Sequence, residues 1–347
     1  MAFHTFQTIL IPGITSFAIT LVGTRFLEAY LYSAGIVAED RNKGKAVKLA
    51  SSGGLAVAFG IIIGILAYTF GGSFIFVPVL NNSDILAVAL SIMLISMVGF
   101  LDDINVKSGR VASTDIMDIR QGLKQWQKPI FTLIGALPLM AINAGVSSVS
   151  IPFIGTLELG VLYPLLIIPL AVIFVSNAVN LLGGFDGLQP SMTLIAAIGF
   201  MLYFIVSGGS YVGLFLSALL AAAILAFLPF NLYKAKIIPG DSFTYAVGAT
   251  LVAIMVMGQA EAFGIIIFMP WIIEFFLHMR RKFKVTDLGI LQHDGTFRAP
   301  YGKKIYSLTH LVMNIKKVKE QEVTLYLSLL EMLFVILAFL LKFAGLL

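Results

Sequence analysis

Four short polar segments hold the residue types that could do chemistry in this chain. They are Gly99-Phe100-Leu101-Asp102-Asp103, Asn177-Ala178-Val179-Asn180, Gly183-Gly184-Phe185-Asp186-Gly187-Leu188 and Pro239-Gly240-Asp241-Ser242-Phe243. Only 18 of 347 residues are Asp or Glu, so an acid at the end of an apolar run is informative. Such a carboxylate is costly beside a membrane unless something uses it. Adjacent helical residues point about 100° apart. Asp102 and Asp103 therefore cannot both grip one ion, but one can face a site while the other holds a neighbouring lysine. Asn177 and Asn180 are three apart and share a helix face. Their amide oxygens suit a hard cation such as Mg²⁺. Glycines at 183, 184 and 187 let backbone N–H groups approach a phosphate or a base. Asp241 follows Lys234 and Lys236, and a carboxylate near Asn and lysine is what a Mg²⁺–diphosphate site needs. Each segment has a plainer reading: a polar helix end, interhelical Asn hydrogen bonds, a glycine turn, an N-capping Asp. Four together are more specific.

The elements that position them are membrane spans. Hydrophobic residues make up 59% of the chain and charged ones 12%, against about 25% charged in soluble domains. Mean hydropathy is +0.97. A soluble globular fold and a disordered chain are both excluded, and with no cysteine there is neither a disulfide framework nor a thiolate nucleophile. Apolar runs predict an all-α polytopic membrane protein with about ten spans. They lie near 6–27, 53–71, 85–101, 129–146, 161–178, 191–207, 211–229, 243–259, 262–279 and 324–345. The first run lacks a basic n-region and a cleavage site and reads as a retained helix. Net charge is +5, and its distribution matters more than its size. Arg41, Lys43, Lys45 and Lys48, then Lys107, Arg110, Arg120, Lys124 and Lys128, then Lys234 and Lys236, then Arg280 through Lys319 lie on alternate connections. The intervening stretches 71–84, 147–160, 208–210 and 259–261 contain no Lys or Arg. Lys and Arg mark the cytoplasmic side, so all four polar segments are expected there and both termini outside. Residues 1–347 read as a single transmembrane domain, with 280–323 a long cytoplasmic loop. Its 306–319 segment has helical apolar spacing, either an interfacial amphipathic helix or a solvated linker helix. Glu274 and Glu331 fall inside spans, where a structural pair with a nearby donor is the expectation.

Gly99-Phe-Leu-Asp-Asp103, Asn177-Ala-Val-Asn180 with Gly184-Phe-Asp-Gly-Leu188, and Gly240-Asp-Ser-Phe243 resemble the polyprenyl-phosphate N-acetylhexosamine-1-phosphate transferases in order and placement. The resemblance covers nearly the whole chain. Asp40-Arg-Asn-Lys43, Gly53-Gly54, Lys128 nine residues before Leu137-Pro138, Phe268-Met-Pro270 and Thr324-Leu-Tyr-Leu are similar to the eukaryotic and archaeal branch, which acts on UDP-GlcNAc and dolichyl phosphate. Single histidines, His278, His293 and His310, stand where bacterial branches have a histidine-rich motif. The chain departs from the branch at Ala50-Ser51, in a longer third loop, at Asp186 in place of Asn, and in the run Arg280, Arg281, Lys282 and Lys284.

The resemblance implies transfer of GlcNAc-1-phosphate from UDP-GlcNAc to a polyprenyl (dolichyl) phosphate with release of UMP, the first step of lipid-linked oligosaccharide synthesis for N-glycosylation. It implies Mg²⁺ (or Mn²⁺) on Asn180 and Asp241. Lys128 would hold the acceptor phosphate, oriented by Asp102 or Asp103, with an aspartate base or nucleophile as the older alternative. Gly184 and Asp186 would meet uracil. Asn177, Lys43, Arg280, Arg281, Lys282 and Lys284 are further substrate-binding candidates. Another UDP-HexNAc or undecaprenyl phosphate are alternatives within the class, and a transporter of an anionic substrate is the rival outside it. Expected partners are the two substrates and the bilayer. A homodimer is compatible with the apolar faces, and no nucleic acid is expected.

Overall fold

The computed structural model describes residues 6–40, 42–44, 47–105, 107–110, 117–121, 123–124, 126–145, 148–151 and 155–347. The side chains of Lys107, Arg110 and Arg120, and all of Arg41 and Lys45, lie outside what it describes. Among the described residues, eight helices are long and apolar enough to cross a membrane. They are built on α1 (Ile11–Ser33), α2 (Gly54–Phe74), α3 (Asn82–Ile104), α6 (Ile168–Leu181), α7 (Leu188–Ser207), α8 (Tyr211–Asn231), α9 (Gly240–Gly258) and α13 (Glu320–Phe343). A bent pair, α10 (Glu261–Ile267) and α11 (Met269–Met279), is apolar enough to make a ninth if the two are taken as one span; they are angled by 60° at a break just before Pro270. Proline there removes a backbone donor and ends the preceding helix. The protein is thus a mostly helical, polytopic membrane protein.

The expected span at 129–146 is not one long helix. It consists of α4 (Gln127–Thr132), a tighter 3₁₀ stretch over Leu133–Ala136 and α5 (Leu137–Ala141). Gly135 and Pro138 interrupt the apolar run, which hydropathy alone does not register. The chain still passes from Lys128, at the Asp241 end of α9, to Gly145, which packs on Val256 and Tyr163 at the other end. It is a broken crossing.

Helix α9 is the centre of the bundle. It is buried along nearly its whole length and packs on α2, α3, α6 and α8. Close approach depends on missing side chains. A Cβ on Gly54 would lie 2.0 Å from the Phe243 nitrogen, one on Gly99 would lie 2.4 Å from the Asp241 carbonyl oxygen, and one on Gly248 would lie 2.5 Å from Ser176 Cα. Small residues at interfaces let helices associate in membranes, where no hydrophobic force separates protein from lipid. Gly99→Ala is therefore expected to cost about 1–3 kcal/mol and to displace the start of α9, read as a lower thermal midpoint in detergent. An unchanged midpoint would contradict this packing.

Two-stranded hairpins occupy the connections. β1 (Val37–Asp40) pairs antiparallel with β2 (Val47–Ala50), with Val37 opposite Ala50. The hairpin is stitched to the segment entering α9. Ile238 N donates to Ala50 O at 2.8 Å, Gly53 N to Ile238 O at 2.9 Å and Gly54 N to Pro239 O at 2.8 Å. β3 (Lys107–Arg110) with β4 (Met117–Gln121), and β5 (Ser148–Ile151) with β6 (Gly155–Glu158), form two more. In the long 280–323 stretch, β7 (Ile290–Leu291) pairs with β8 (Phe297–Arg298) around an Asp294 turn. There the Asp294 Oδ1 accepts from Thr296 Oγ1 at 2.5 Å and from Thr296 N at 3.0 Å, which together lower that carboxyl's pKa below its ordinary value. The apolar spacing at 306–319 becomes α12 (Leu308–Ile315), whose Leu308, Thr309, His310 and Met313 are buried while Ile315 is exposed.

Candidate active site

Helix ends build the site. The C-termini of α3 and α6, the N-termini of α9 and α4, and the loop before α2 converge at one end of the bundle. The hydrogen bonds among them place Asp102, Asp103, Lys128, Asn180 and Asp241 together.

Lys128 is the hub. Its Nζ lies 2.6 Å from Asp102 Oδ2 and 2.9 Å from Asp241 Oδ2. Two carboxylates thus share one ammonium, and Asp102 is 2% exposed. The other Asp102 oxygen accepts from the Leu123 N–H. Asp103 takes a different task, as the turn of the helix requires. Its Oδ1 accepts from Asp241 N at 2.8 Å, and its Oδ2 accepts from Ser242 N at 3.2 Å and from Ser52 Oγ at 2.8 Å. It caps the first turn of α9, whose N–H groups lack intrahelical partners and carry partial positive charge. Gly240 allows this contact: it sits at φ +75°, and a Cβ there would lie 2.3 Å from Asp103 Oδ2. Asn180 Nδ2 donates to Thr244 Oγ1 at 3.0 Å, and Thr244 Oγ1 donates to Asp241 O at 3.2 Å, so Asn180 is held against the turn that carries Asp241. Asn177 lies beside α4: its Nδ2 donates to Ile173 O at 2.7 Å and to Thr132 Oγ1 at 3.3 Å.

A second cluster lies around the 183–187 turn. Lys43 Nζ is 2.7 Å from Asp186 Oδ2, 2.6 Å from Glu320 Oε2 and 3.0 Å from Asp40 Oδ2. Burial alone would lower the ammonium pKa, but the hydrogen bonds to Asp186 and Glu320 outweigh it and hold Lys43 above the ordinary lysine value. Asp186 Oδ2 also accepts from Ala235 N at 2.9 Å, and Asp186 O accepts from Thr324 Oγ1 at 2.8 Å. Asn42 Nδ2 donates to Gly184 O at 2.6 Å. Gly184 has φ +83°, a conformation that favours glycine. One Asp186 oxygen is thus taken up in anchoring the turn.

The remaining candidates lie elsewhere. Arg280 donates from Nη1 to Ile305 O at 3.2 Å and covers Tyr306, while Arg281 lies over Tyr301 and Tyr306. Lys282 and Lys284 are exposed. Among the described residues, no ion pair or hydrogen bond joins these four to the Lys128 cluster. Reading the sequence did not single out Ser52, Asn42, Glu320 or Asp287. Glu320 carried a signal, since it is an acid at the mouth of the last apolar run. Asp287 touches the turn directly, accepting from Gly183 N at 3.3 Å.

The sequence profile described as glycosyl transferase family 4 matches residues 85–259, a stretch that includes Asp102, Lys128, Asn180 and Asp241. The chain belongs to glycosyl transferase family 4. It is 31% identical over 332 residues, 95% of each chain, to a Sulfolobus acidocaldarius protein whose provisional name is UDP-N-acetylglucosamine–dolichyl-phosphate N-acetylglucosaminephosphotransferase. A Saccharolobus solfataricus protein with the same provisional name is 33% identical over 344 residues, covering 96% of this chain and 97% of that one. A phospho-N-acetylmuramoyl-pentapeptide-transferase of Clostridium botulinum is 34% identical, but over 54% of this chain and 56% of its own. This family member therefore matches the archaeal relatives along nearly its whole length and the bacterial one over about half.

Proposed function

We propose that the protein transfers GlcNAc-1-phosphate from UDP-GlcNAc to dolichyl or another polyprenyl phosphate on the cytoplasmic face of the membrane. UMP is released, and the product is a polyprenyl-diphosphate-GlcNAc, the lipid on which an N-linked glycan is begun. The observation that carries this reading is the Lys128 ammonium shared by Asp102 and Asp241 at one end of the bundle. Near-full-length relatives bearing that activity in their provisional names support it. The Lys and Arg excess on the connections at this end supports the cytoplasmic side and both termini outside.

The chemistry needs positioning more than proton transfer. A phosphate monoester has its second pKa near about 6, so the lipid phosphate is largely ionised at neutral pH. Its oxygen attacks the β-phosphorus of UDP-GlcNAc. A new P–O bond forms, the bond from that phosphorus to the bridging oxygen breaks, and UMP leaves with the bridging oxygen. No base is required, which disfavours an aspartate base. The obstacle is bringing two anions together. Lys128 is placed to hold the acceptor phosphate, and Asp102 holds Lys128. Asp103 fixes the first turn of α9, and with it Asp241.

The donor set fits a hard divalent cation. Asp241 and Asn180 offer a carboxylate and an amide oxygen, and Asp102 Oδ2 is buried without a hydrogen bond, its close contact being the Lys128 ammonium. Asn180 and Asp241 would hold Mg²⁺ or Mn²⁺, which when bound would neutralise diphosphate charge. The 183–187 turn would receive the uridine through the peptides of Gly183 and Gly184 and the outer face of Asp186. Lys43 supports that wall through Asp186, Asn177 stands apart beside α4 as a further substrate-binding candidate, and Arg280, Arg281, Lys282 and Lys284 would serve substrate only if the 280–306 segment moves toward it.

The test is UMP release from UDP-GlcNAc by purified protein with Mg²⁺ and a long-chain polyprenyl phosphate, with and without EDTA. Chelator-sensitive UMP together with lipid-linked GlcNAc diphosphate is the expected result. Folded protein that yields no UMP from UDP-GlcNAc or any other UDP-HexNAc would overturn the reading and favour transport of an anionic substrate.

A further inference from the structure

Outside the Lys128 cluster, one group of side chains has the composition and placement of a metal centre. Glu274 and His278 are four residues apart on α11 and share a face. Asp287 reaches them from the segment that follows that helix. His278 Nε2 lies 2.9 Å from Glu274 Oε1 and 3.0 Å from Asp287 Oδ1. The candidate ligand atoms all lie within 4.8 Å of one another. Glu274 is 0% and His278 4% exposed.

His278 Nε2 faces both carboxylates at once, and with Glu274 Oε1 it lies buried in close contact without a well-aligned hydrogen bond. Two ligands at bonds of about 2.1 Å to one ion are separated by about 3.0–3.4 Å, and each lies well off the other's bond axis. The two separations from His278 Nε2, 2.9 and 3.0 Å, lie at or just under the short edge of that range. The outer atoms are also arranged as around a metal. Glu274 Oε2 accepts from Leu308 N at 2.7 Å, and Asp287 Oδ2 accepts from Gly183 N at 3.3 Å. Each carboxylate is thereby fixed by one oxygen and turns the other inward. The neighbouring His310 is engaged elsewhere, its Nε2 lying 2.9 Å from Thr286 O.

We propose that Glu274, His278 and Asp287 bind a divalent ion of the zinc class, separate from the all-oxygen donor set at Asn180 and Asp241. One imidazole and two carboxylates suit Zn²⁺, with water completing four-coordination. The ion would tie the end of α11 to the start of α12 through Leu308, and to the 183–184 turn through Asp287. The inference rests on these residues alone and does not depend on the transferase reading.

The experiment uses the full chain in detergent, free of any polyhistidine tag, stripped with chelator and dialysed. Zn²⁺ binding is followed by calorimetry and by metal content, and the thermal midpoint is read with and without Zn²⁺. The wild type should bind one Zn²⁺ per chain and gain thermal stability from it. His278→Gln and Asp287→Asn should weaken binding at least about tenfold, whereas His293→Ala, at an exposed histidine, should not. Asp287→Asn retains an oxygen to accept from Gly183 N, so it remains decisive even if His278→Gln fails to fold. Zn²⁺ binding by the wild type no stronger than by Asp287→Asn would overturn the proposal. The three residues would then be a buried ion triad with a protonated imidazole.

Discussion

Asp241→Ala is expected to reduce chelator-sensitive UMP release by about 10²–10³-fold, the loss typical when one fixed electrostatic contact to a reacting centre is removed. Asp241 opens the most enclosed helix of the bundle, and its carboxylate is 2.9 Å from Lys128 Nζ. Losing one partner of a buried pair can itself cost about 3–5 kcal/mol when a charge is stranded. Here it is not stranded, because Lys128 keeps Asp102 at 2.6 Å. The cap on α9 also survives, since Asp103 accepts from the backbone N–H groups of residues 241 and 242 rather than from the Asp241 side chain. The variant should therefore elute as a folded monodisperse species with its activity gone. Full activity would remove Asp241 from the proposed cation site.

Lys128→Ala should have the second large effect, of a different kind. With the acceptor limiting, the rate should fall by about 10²-fold or more, while UDP-GlcNAc binding, measured separately, should change much less. An unchanged rate at limiting acceptor would sink the assignment of Lys128 to the lipid phosphate. This variant should also be less stable than Asp241→Ala. It leaves two carboxylates facing each other with no cation between them, and Asp102 has little access to water. Its thermal midpoint should rise at lower pH by more than the wild type's does, because protonation removes the repulsion that Lys128 otherwise offsets.

Much of this site could be read from residues on single helices. The Asp102-Asp103 pair, the Asn177 and Asn180 face and Asp241 are local patterns, and the apolar runs that place them are visible by length and hydropathy. Which partner each would find was less accessible, because partners come from distant segments. Asp103 meets Ser52 across 51 residues, and Asp186 N meets Glu320 across 134. Nothing in either local sequence marks the other. Span four shows a second gap. An apolar run predicts burial in lipid, but Gly135 and Pro138 decide that it is a series of short pieces. The basic run at 280–284 shows a third: charge suggested phosphate, while Arg280 lies over Tyr306 and Arg281 over Tyr301 and Tyr306. Of the two acids inside spans, Glu274 has a nearby donor in the Leu308 N–H and lies 2.9 Å from His278. Both carboxyl oxygens of Glu331 are buried without a hydrogen-bond partner among the described residues.

The ion cluster on Lys43 has a consequence for how the protein is made. Lys43 and Glu320 are 277 residues apart, yet their side chains meet at 2.6 Å beside the 183–187 turn. The first loop of the chain leaves the ribosome long before the last helix exists. Until Glu320 is synthesised and its helix is inserted, Lys43 lacks one carboxylate and the backbone N–H of Asp186 lacks its acceptor. The wall of the proposed nucleotide pocket can therefore close only after translation has passed the final span. Chains that stop before residue 320 can insert most of the bundle and still lack a finished pocket.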